Sequence, residues 1–113
     1  MCIRDRLNGV LCQDRDTKVD LAASFETVTK ARPTNEQIDD LAFASICAKH
    51  LKSNTIALVK NKQMVGMGCG QTSRVDACIQ AIAKAKQFGF ELEGAVMASD
   101  AFFPFPDLSL IHI

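Results

Sequence analysis

The sequence predicts an α/β fold, a mixed sheet with flanking helices, and three observations carry that prediction. Hydrophobic periodicity alternates along the chain between the helical and the strand repeat. Asn61-Lys62 separates two strand-like runs, and glycines punctuate the ends of the periodic segments. No internal repeat or low-complexity linker divides the chain, so its elements are expected to share one set of layers.

Taken in order, "GVLCQDRD", residues 9–16, opens as a short apolar strand and turns charged. "FETVTK", residues 25–30, alternates well enough to predict another strand, and "ARPTNEQ" then breaks the chain before a helix. Thr34 with Gln37 fits a capping box, in which a hydroxyl and a glutamine side chain each satisfy an amide that the helix start leaves free. Ile38, Leu41, Ala42, Ser45, Ile46 and Lys49 follow at helical spacing. Phe43, Cys47, His50 and Leu51 add a second stripe, so this helix is expected to be buried on two sides.

After "KSN", residues 52–54, the repeat becomes that of strands. "TIALVK" and "QMVGMG" flank Asn61-Lys62, and asparagine tolerates a positive φ, which predicts a β-hairpin. "GMGCGQTSR", residues 66–74, leads into "VDACIQAIAKAKQFG", where Cys78, Ile79, Ile82, Ala83 and Lys86 mark a helical face and Gly89 a stop. "GAVMASD" reads as a short buried strand that brings Asp100 and a phenylalanine segment to a sheet edge.

Composition narrows the function classes. The 113 residues suffice for one small domain or a piece of a larger one. They are 48% hydrophobic and 23% charged with zero formal net charge, without the polybasic stripe that a nucleic-acid partner would require. No apolar run approaches the ~20 residues of a membrane span. Nothing resembles a signal peptide, so a cytoplasmic protein without nucleic-acid or membrane partners is expected. Cys12, Cys47, Cys69 and Cys78 form no CxxC and have no histidine at ligand spacing. Small buried thiols in a reducing compartment fit them better than metal ligands, and no metal is predicted.

The two ends raise a separate point. Written as ATG TGT ATA AGA GAC AG, the codons of "MCIRDR" have a reverse complement that translates as Leu-Ser-Leu-Ile-His-Ile, the sequence of residues 108–113. An inverted sequencing adapter on either side of a cloned fragment produces that relation automatically. Residues 1–6 and 108–113 are therefore expected to be adapter-derived scars, leaving 7–107 as the natural segment.

Several residues are candidates for chemistry. Gly66, Gly68 and Gly70 alternate where the hairpin gives way to a helix. Bared amides at the positive helix end could receive an anion there, or the glycines could simply leave room for packing. The pattern is neither GxGxxG nor the GK[ST] of a P-loop. Arg74 in the first helical turn opposes the helix dipole, which an anionic partner nearby would explain; a plain surface arginine is the alternative.

Asn54 offers a donor and an acceptor in one plane, and equally suits a helix C-cap or a turn. His50, inside an apolar stripe with no carboxylate beside it in sequence, reads as a packed core histidine. In "SDAFFPFPD", residues 99–107, adjacent Phe102 and Phe103 cannot both point inward from a strand, and Pro104 and Pro106 forbid a helix. One ring is expected to face a ligand with Asp107 close by as an acceptor; an aromatic plug beneath a loop is the alternative.

Together, "VTKARPT", "KSNTIALVK", "GMGCGQTSRVD" and "SDAFFPFPD" resemble the C-terminal part of the transformylase domain in the bifunctional purine enzymes that join AICAR formyltransferase to IMP cyclohydrolase. The resemblance runs in the same order over most of residues 9–107. It implies a cytidine-deaminase-like α/β subdomain, here truncated, from a homodimer with shared active sites. It also implies transfer of a formyl group from 10-formyltetrahydrofolate to the 5-amino group of AICAR.

By position, Asn54 matches the asparagine that contacts the AICAR base or carboxamide, and Arg74 the arginine that binds the same nucleotide. Val75 matches a backbone contact with the folate, Phe102 an aromatic residue on the folate side, and Asp107 a carboxylate at the pterin-like ring. Pro106 stands where some relatives have arginine, and Leu108 where the natural chain should continue. The lysine and histidine that stabilise the family's transition state and move its proton lie upstream, and His50 does not match that histidine. The resemblance thus assigns binding residues and no catalytic ones, and implies an inactive fragment without the cyclohydrolase domain. A zinc deaminase would need H-x-E and P-C-x-x-C, and neither occurs. A non-catalytic nucleotide-binding or dimerisation module remains the alternative.

Overall fold

The main sheet is organised by one turn. Asn61 and Lys62 take φ values of 52° and 60°, the paired left-handed conformations that return a strand along the twist of its neighbour. They join β3 (Ile56–Lys60) to β4 (Gln63–Gly68), as the hairpin reading predicted. In the computed structural model, which describes residues 2–6 and 8–101, these strands follow β1 (Cys2–Arg6), β2 (Gly9–Gln13) and α1 (Asn35–Lys49). They precede α2 (Arg74–Gln87) and β5 (Val96–Ser99), the strand expected within "GAVMASD".

β5 pairs with the other side of β3, giving the order β4-β3-β5. Both pairings are antiparallel, where a mixed sheet was expected. The reason is topological: α2 carries the chain across β3, so β4 and β5 run the same way but never touch. The fold is α/β with helices on both faces. Ile56 and Leu58 of β3 pack with α2, while Val59 of the same strand packs with α1, as the alternation of strand side chains requires.

α1 begins as its sequence indicates. The Thr34 hydroxyl accepts from the Gln37 amide at 3.2 Å, and the Gln37 side chain accepts from the Thr34 amide at 3.0 Å. The expected two-sided burial is not found. Asp40, Ala44 and Ala48 form one buried line against the sheet, while Phe43 and Ile46 stay 37% and 40% exposed. Among the described strands, only those of the main sheet cover this helix, and they cover one side.

Asp40 has a defined task in that line. Its carboxylate accepts from the amides of Asn61 at 3.1 Å and Lys62 at 2.7 Å, tying α1 to the hairpin turn. A buried carboxylate with two short amide bonds is a satisfied one.

α2 stops at Gly89, whose φ of 77° matches the expected role. Its buried face is Ala77, Cys78, Ala81, Ile82 and Ala85, so Cys78 and Ile82 were placed correctly but Ile79, Ala83 and Lys86 face outward. The glycines of β4 explain the rotation. A Cβ on Gly68 would lie 1.9 Å from the Ala77 carbonyl oxygen, and one on Gly66 would lie 2.3 Å from that of Ala81. The helix backbone rests on the strand, and only alanines fit at the line of contact. Of the two readings for the glycine alternation, packing holds at Gly66 and Gly68. Gly70 differs, with open space around it and a φ of 65°.

"FETVTK" is irregular, and Val28 is 90% exposed. Alternation suffices for a strand only where a partner edge is available, and none among the described strands lies beside this segment. β1 and β2 form a separate antiparallel ribbon, from Cys2 opposite Gln13 to Arg6 opposite Gly9. Every residue of β2 is exposed, and none of the other described elements besides β1 packs on it.

The seating of α2 yields a stability prediction. Gly68→Ala is expected to destabilise the protein by about 3 kcal/mol or more, since strand and helix must part. Gly70→Ala should cost roughly 1 kcal/mol from its positive φ alone. Urea unfolding of both variants measures the contrast, and equal small losses would show that α2 does not rest on β4.

Candidate functional site

The register of the main sheet brings distant residues to one end. Ile56 lies opposite both Gly68 and Ser99, so the start of β3 and the ends of β4 and β5 are level. Residues just before Ile56, just after Gly68 and just after Ser99 must therefore converge. These are Ser53 to Thr55, the loop that leads into α2, and Asp100.

Asp100 sits at the centre of this group. Its Oδ2 accepts from the Ser53 hydroxyl, and its Oδ1 accepts from the Thr55 amide at 3.2 Å. The Arg74 guanidinium lies 3.6 Å from Oδ1, and both charged side chains are about four-fifths buried, at 20% and 19% exposed. Partial burial pushes the Asp100 carboxyl upward, but the Ser53 and Thr55 hydrogen bonds and the Arg74 charge outweigh it, holding the group below the usual aspartate range. Arg74 is no plain surface arginine, and the anion beside it within the described chain is Asp100. Its Nε is buried without an acceptor among the described residues.

Asn54 is fixed from the neighbouring loop. Its backbone and side-chain amides both donate to the Gln71 carbonyl, at 3.2 and 3.1 Å. The C-cap reading for Asn54 does not hold, because α1 is capped by His50, four residues earlier. At the start of α2, the Ser73 hydroxyl accepts from the Asp76 amide at 3.1 Å, and the Ser73 carbonyl accepts from the Ala77 amide at 3.2 Å. The amides of Arg74 and Val75 are thus the ones left at the positive helix end. The Val75 side chain packs against the core, which leaves its backbone as the part able to meet a ligand.

Asn54, Arg74 and Val75 are therefore gathered around one loop and one helix start. Phe102 and Asp107 lie outside the described residues. Ser53, Thr55, Gln71 and the lock role of Asp100 were missed on sequence, because each acts through partners on other elements. The register of the strand ends was the signal available.

Two grooves open on the other side of β5. One, of about 450 Å³, is lined by Lys18, Asp20, Lys49, Ser53, Ser99 and Asp100 among others. The second, of about 580 Å³, runs between residues 22–33 and Ile38, Leu41 and Ala98. Neither is lined by Asn54, Arg74 or Val75.

His50 is exposed at the end of α1, which corrects the packed-core reading: the helix turns that residue past the edge of the covered face. Cys78 is buried and Cys47 and Cys69 are half-buried, but Cys12 is exposed because its ribbon is uncovered. Burial pushes the Cys47 and Cys78 thiols up, away from nucleophilic or ligating character. No helix among the described residues is long and apolar enough to cross a membrane.

Comparison with known proteins adds what geometry alone cannot. A family profile described as the AICARFT/IMPCHase bienzyme matches residues 1–84. The chain belongs to this family. It is 60% identical over 104 residues to the bifunctional purine biosynthesis protein PurH of Bacteroides thetaiotaomicron, covering 92% of this chain and 20% of that protein. The PurH proteins of Chlorobaculum parvum and Aquifex aeolicus are each 52% identical over 99 residues, covering 88% of this chain and 19% of theirs. The chain thus spans about a fifth of the length of the curated relatives it matches. The family resemblance read from the sequence is correct. "VTKARPT", "KSNTIALVK" and "GMGCGQTSRVD" fall inside the matched range, and "SDAFFPFPD" falls beyond it.

The Asp100 lock generates a pH prediction. A carboxyl held below its ordinary value favours the fold when ionised. Its contribution is complete above the unfolded value of about 3.9 and is lost as the pH falls through the lowered folded value. Acid unfolding followed by circular dichroism should therefore show Asp100→Asn less stable than the parent at neutral pH, with the two curves converging below roughly pH 4. Parallel curves at all pH values would contradict the lock.

Proposed function

We propose that residues 7–107 are a substrate-binding segment of an AICAR formyltransferase, from a bifunctional enzyme that also carries IMP cyclohydrolase. The observation that carries this reading is the convergence of Asn54 and Arg74 at the start of α2 in a chain of this family. Arg74 brings a fixed positive charge, the amides of its helix start and an Nε donor that has no acceptor among the described residues. Asn54 holds its amide nitrogen on Gln71, which leaves Oδ1 to accept from a ligand carboxamide or amine. Such a set suits a purine precursor that combines anionic and amide groups.

The folate half of the reading rests on the resemblance. Val75 offers a backbone contact to 10-formyltetrahydrofolate, Phe102 an aromatic surface, and Asp107 an acceptor for the pterin-like ring. Phe102 follows Asp100 by two residues in the chain, so the proposed folate wall is covalently continuous with the carboxylate beside Arg74. The wider domain is of the cytidine-deaminase type, and the intact enzyme works as a cytoplasmic homodimer without a metal.

Formyl transfer to a weakly nucleophilic aromatic amine requires a base and a stabilised oxyanion, each contributing orders of magnitude in rate. In this reading the lysine and histidine that supply them lie upstream of Leu7, and the present chain supplies binding groups only.

The purified chain is expected to show no formyl transfer, and measurable turnover would overturn that assignment. In the intact enzyme carrying this segment, Arg74→Ala should raise the AICAR KM about tenfold to a hundredfold, the loss of a charged hydrogen bond of roughly 1.5–3 kcal/mol. Phe102→Ala and Asp107→Ala should weaken a folate analogue instead; unchanged folate affinity would favour a non-catalytic nucleotide-binding or dimerisation module.

We further propose that residues 1–6 and 108–113 are adapter-derived. The family match begins at residue 1, so the assignment at that end stands on the strand complementarity alone. Reading the contiguous gene should show a different sequence on both sides of residues 7–107. A gene that encodes both hexapeptides without the inverted string would refute it.

A further inference from the structure

We propose that Asp100 is the positioning residue that sets the pose of Arg74 for nucleotide binding, an inference that rests on the AICAR reading of Arg74 given above. No part of that reading assigns Asp100 a role. Three features of its surroundings carry the inference.

The first is convergence. One carboxylate joins the residue that follows β5, the segment that precedes β3 and the first residue of α2. The segment that precedes β3 is held through a donor with little freedom of its own. The Thr55 amide belongs to a fully buried residue whose hydroxyl is in turn bonded to the Lys52 carbonyl at 2.6 Å. That carbonyl also accepts from the Gly70 amide at 2.6 Å, which ties the segment to the loop before α2. Asp100 is therefore mounted on a braced frame, and Arg74 is the flexible member of the group.

The second feature is the way the guanidinium is engaged. At 3.6 Å, the separation between Arg74 Nη2 and Asp100 Oδ1 exceeds that of a short charge-assisted hydrogen bond. The pair attracts without closing, and Nε has no acceptor among the described residues. A guanidinium oriented by charge and only partly bonded keeps donors for a second anionic or carbonyl group.

The third is that Asp100 has no comparable partner elsewhere among the described residues. Both of its oxygens are used within this cluster, and its side chain is 19% exposed. It contacts no other cationic side chain among the described residues. Without it, Arg74 would stand at the positive end of α2 with no paired carboxylate among the described residues and would be free to swing toward solvent.

The decisive experiment is a double-mutant cycle in the intact enzyme that carries this segment, reading the AICAR dissociation constant and the KM and kcat of formyl transfer. Asp100→Asn keeps the shape and removes the charge. It is expected to weaken AICAR about tenfold, with most of the loss in KM. In an Arg74→Ala background the same change should have no further effect, because Asp100 acts through Arg74. An equal loss from Asp100→Asn in both backgrounds would overturn the inference and leave Asp100 as a structural group. Full affinity in Asp100→Asn beside a weakened Arg74→Ala would also overturn it, while sparing the AICAR reading. Full affinity in Arg74→Ala would instead remove that reading itself. Should Asp100→Asn fail to fold, Ser53→Ala serves, since it frees Oδ2 and leaves the charge pair. A rise in KM of about threefold supports the inference, and no change counts against it.

Discussion

The site depends on how closely α2 lies on β4. Gly66 and Gly68 let the carbonyls of Ala81 and Ala77 approach a strand where any side chain would collide. That contact fixes both the height and the roll of the helix, turning Ala77, Ala81 and Ala85 inward. It also determines where the helix begins. With α2 seated this deep, its first residue, Arg74, arrives level with the ends of β3 and β5 and within 3.6 Å of Asp100. The glycines that suggested an anion cradle thus act one step earlier: they seat the helix that carries Arg74.

Two partly or fully buried aspartates hold opposite ends of the same sheet, and their surroundings differ in kind. Asp40 grips the hairpin turn through the amides of Asn61 and Lys62. Two non-glycine residues with positive φ need such support, because each left-handed residue strains the turn. Asp100, at the other end, accepts from a hydroxyl and an amide and faces a guanidinium. The first arrangement involves rigid backbone alone and closes on itself. The second includes a long side chain whose Nε has no acceptor among the described residues, at the end where the AICAR contacts are proposed.

Much of this was legible in the sequence where the governing interaction is local. The capping box at Thr34 and Gln37, the turn at Asn61 and Lys62 and the stop at Gly89 each depend on residues a few positions apart, and each formed as expected. The roll of α2 was not legible, because periodicity shows that a helix has an apolar side but not how near its partner comes. "FETVTK" has the pattern of a strand and no edge to join. Asn54, Arg74 and Val75 were found as site candidates through the family resemblance and by the chemistry of their residue types. The Asp100 contacts escaped because Ser53 and Thr55 stand 47 and 45 residues away in the chain. Only the antiparallel register makes them neighbours.

The energetics of the Arg74 and Asp100 pair point the same way as its geometry. A partly buried ion pair recovers little more than the hydration its members lose, and an apolar pair of equal volume often stabilises a fold as well or better. Here the separation is long, and the buried Nε has no acceptor among the described residues. The Ser53 and Thr55 hydrogen bonds do more than the Arg74 charge to hold Asp100 ionised, so stability alone gives little reason for an arginine at position 74. Departures from local consistency concentrate where a protein binds or reacts. An Arg74 Nε without an acceptor among the described residues fits the binding role proposed for it, because a guanidinium already satisfied by the protein would have to break those bonds first. Asp100 fits that logic by attracting the guanidinium without saturating it, so that a ligand completes an arrangement the fold has already oriented.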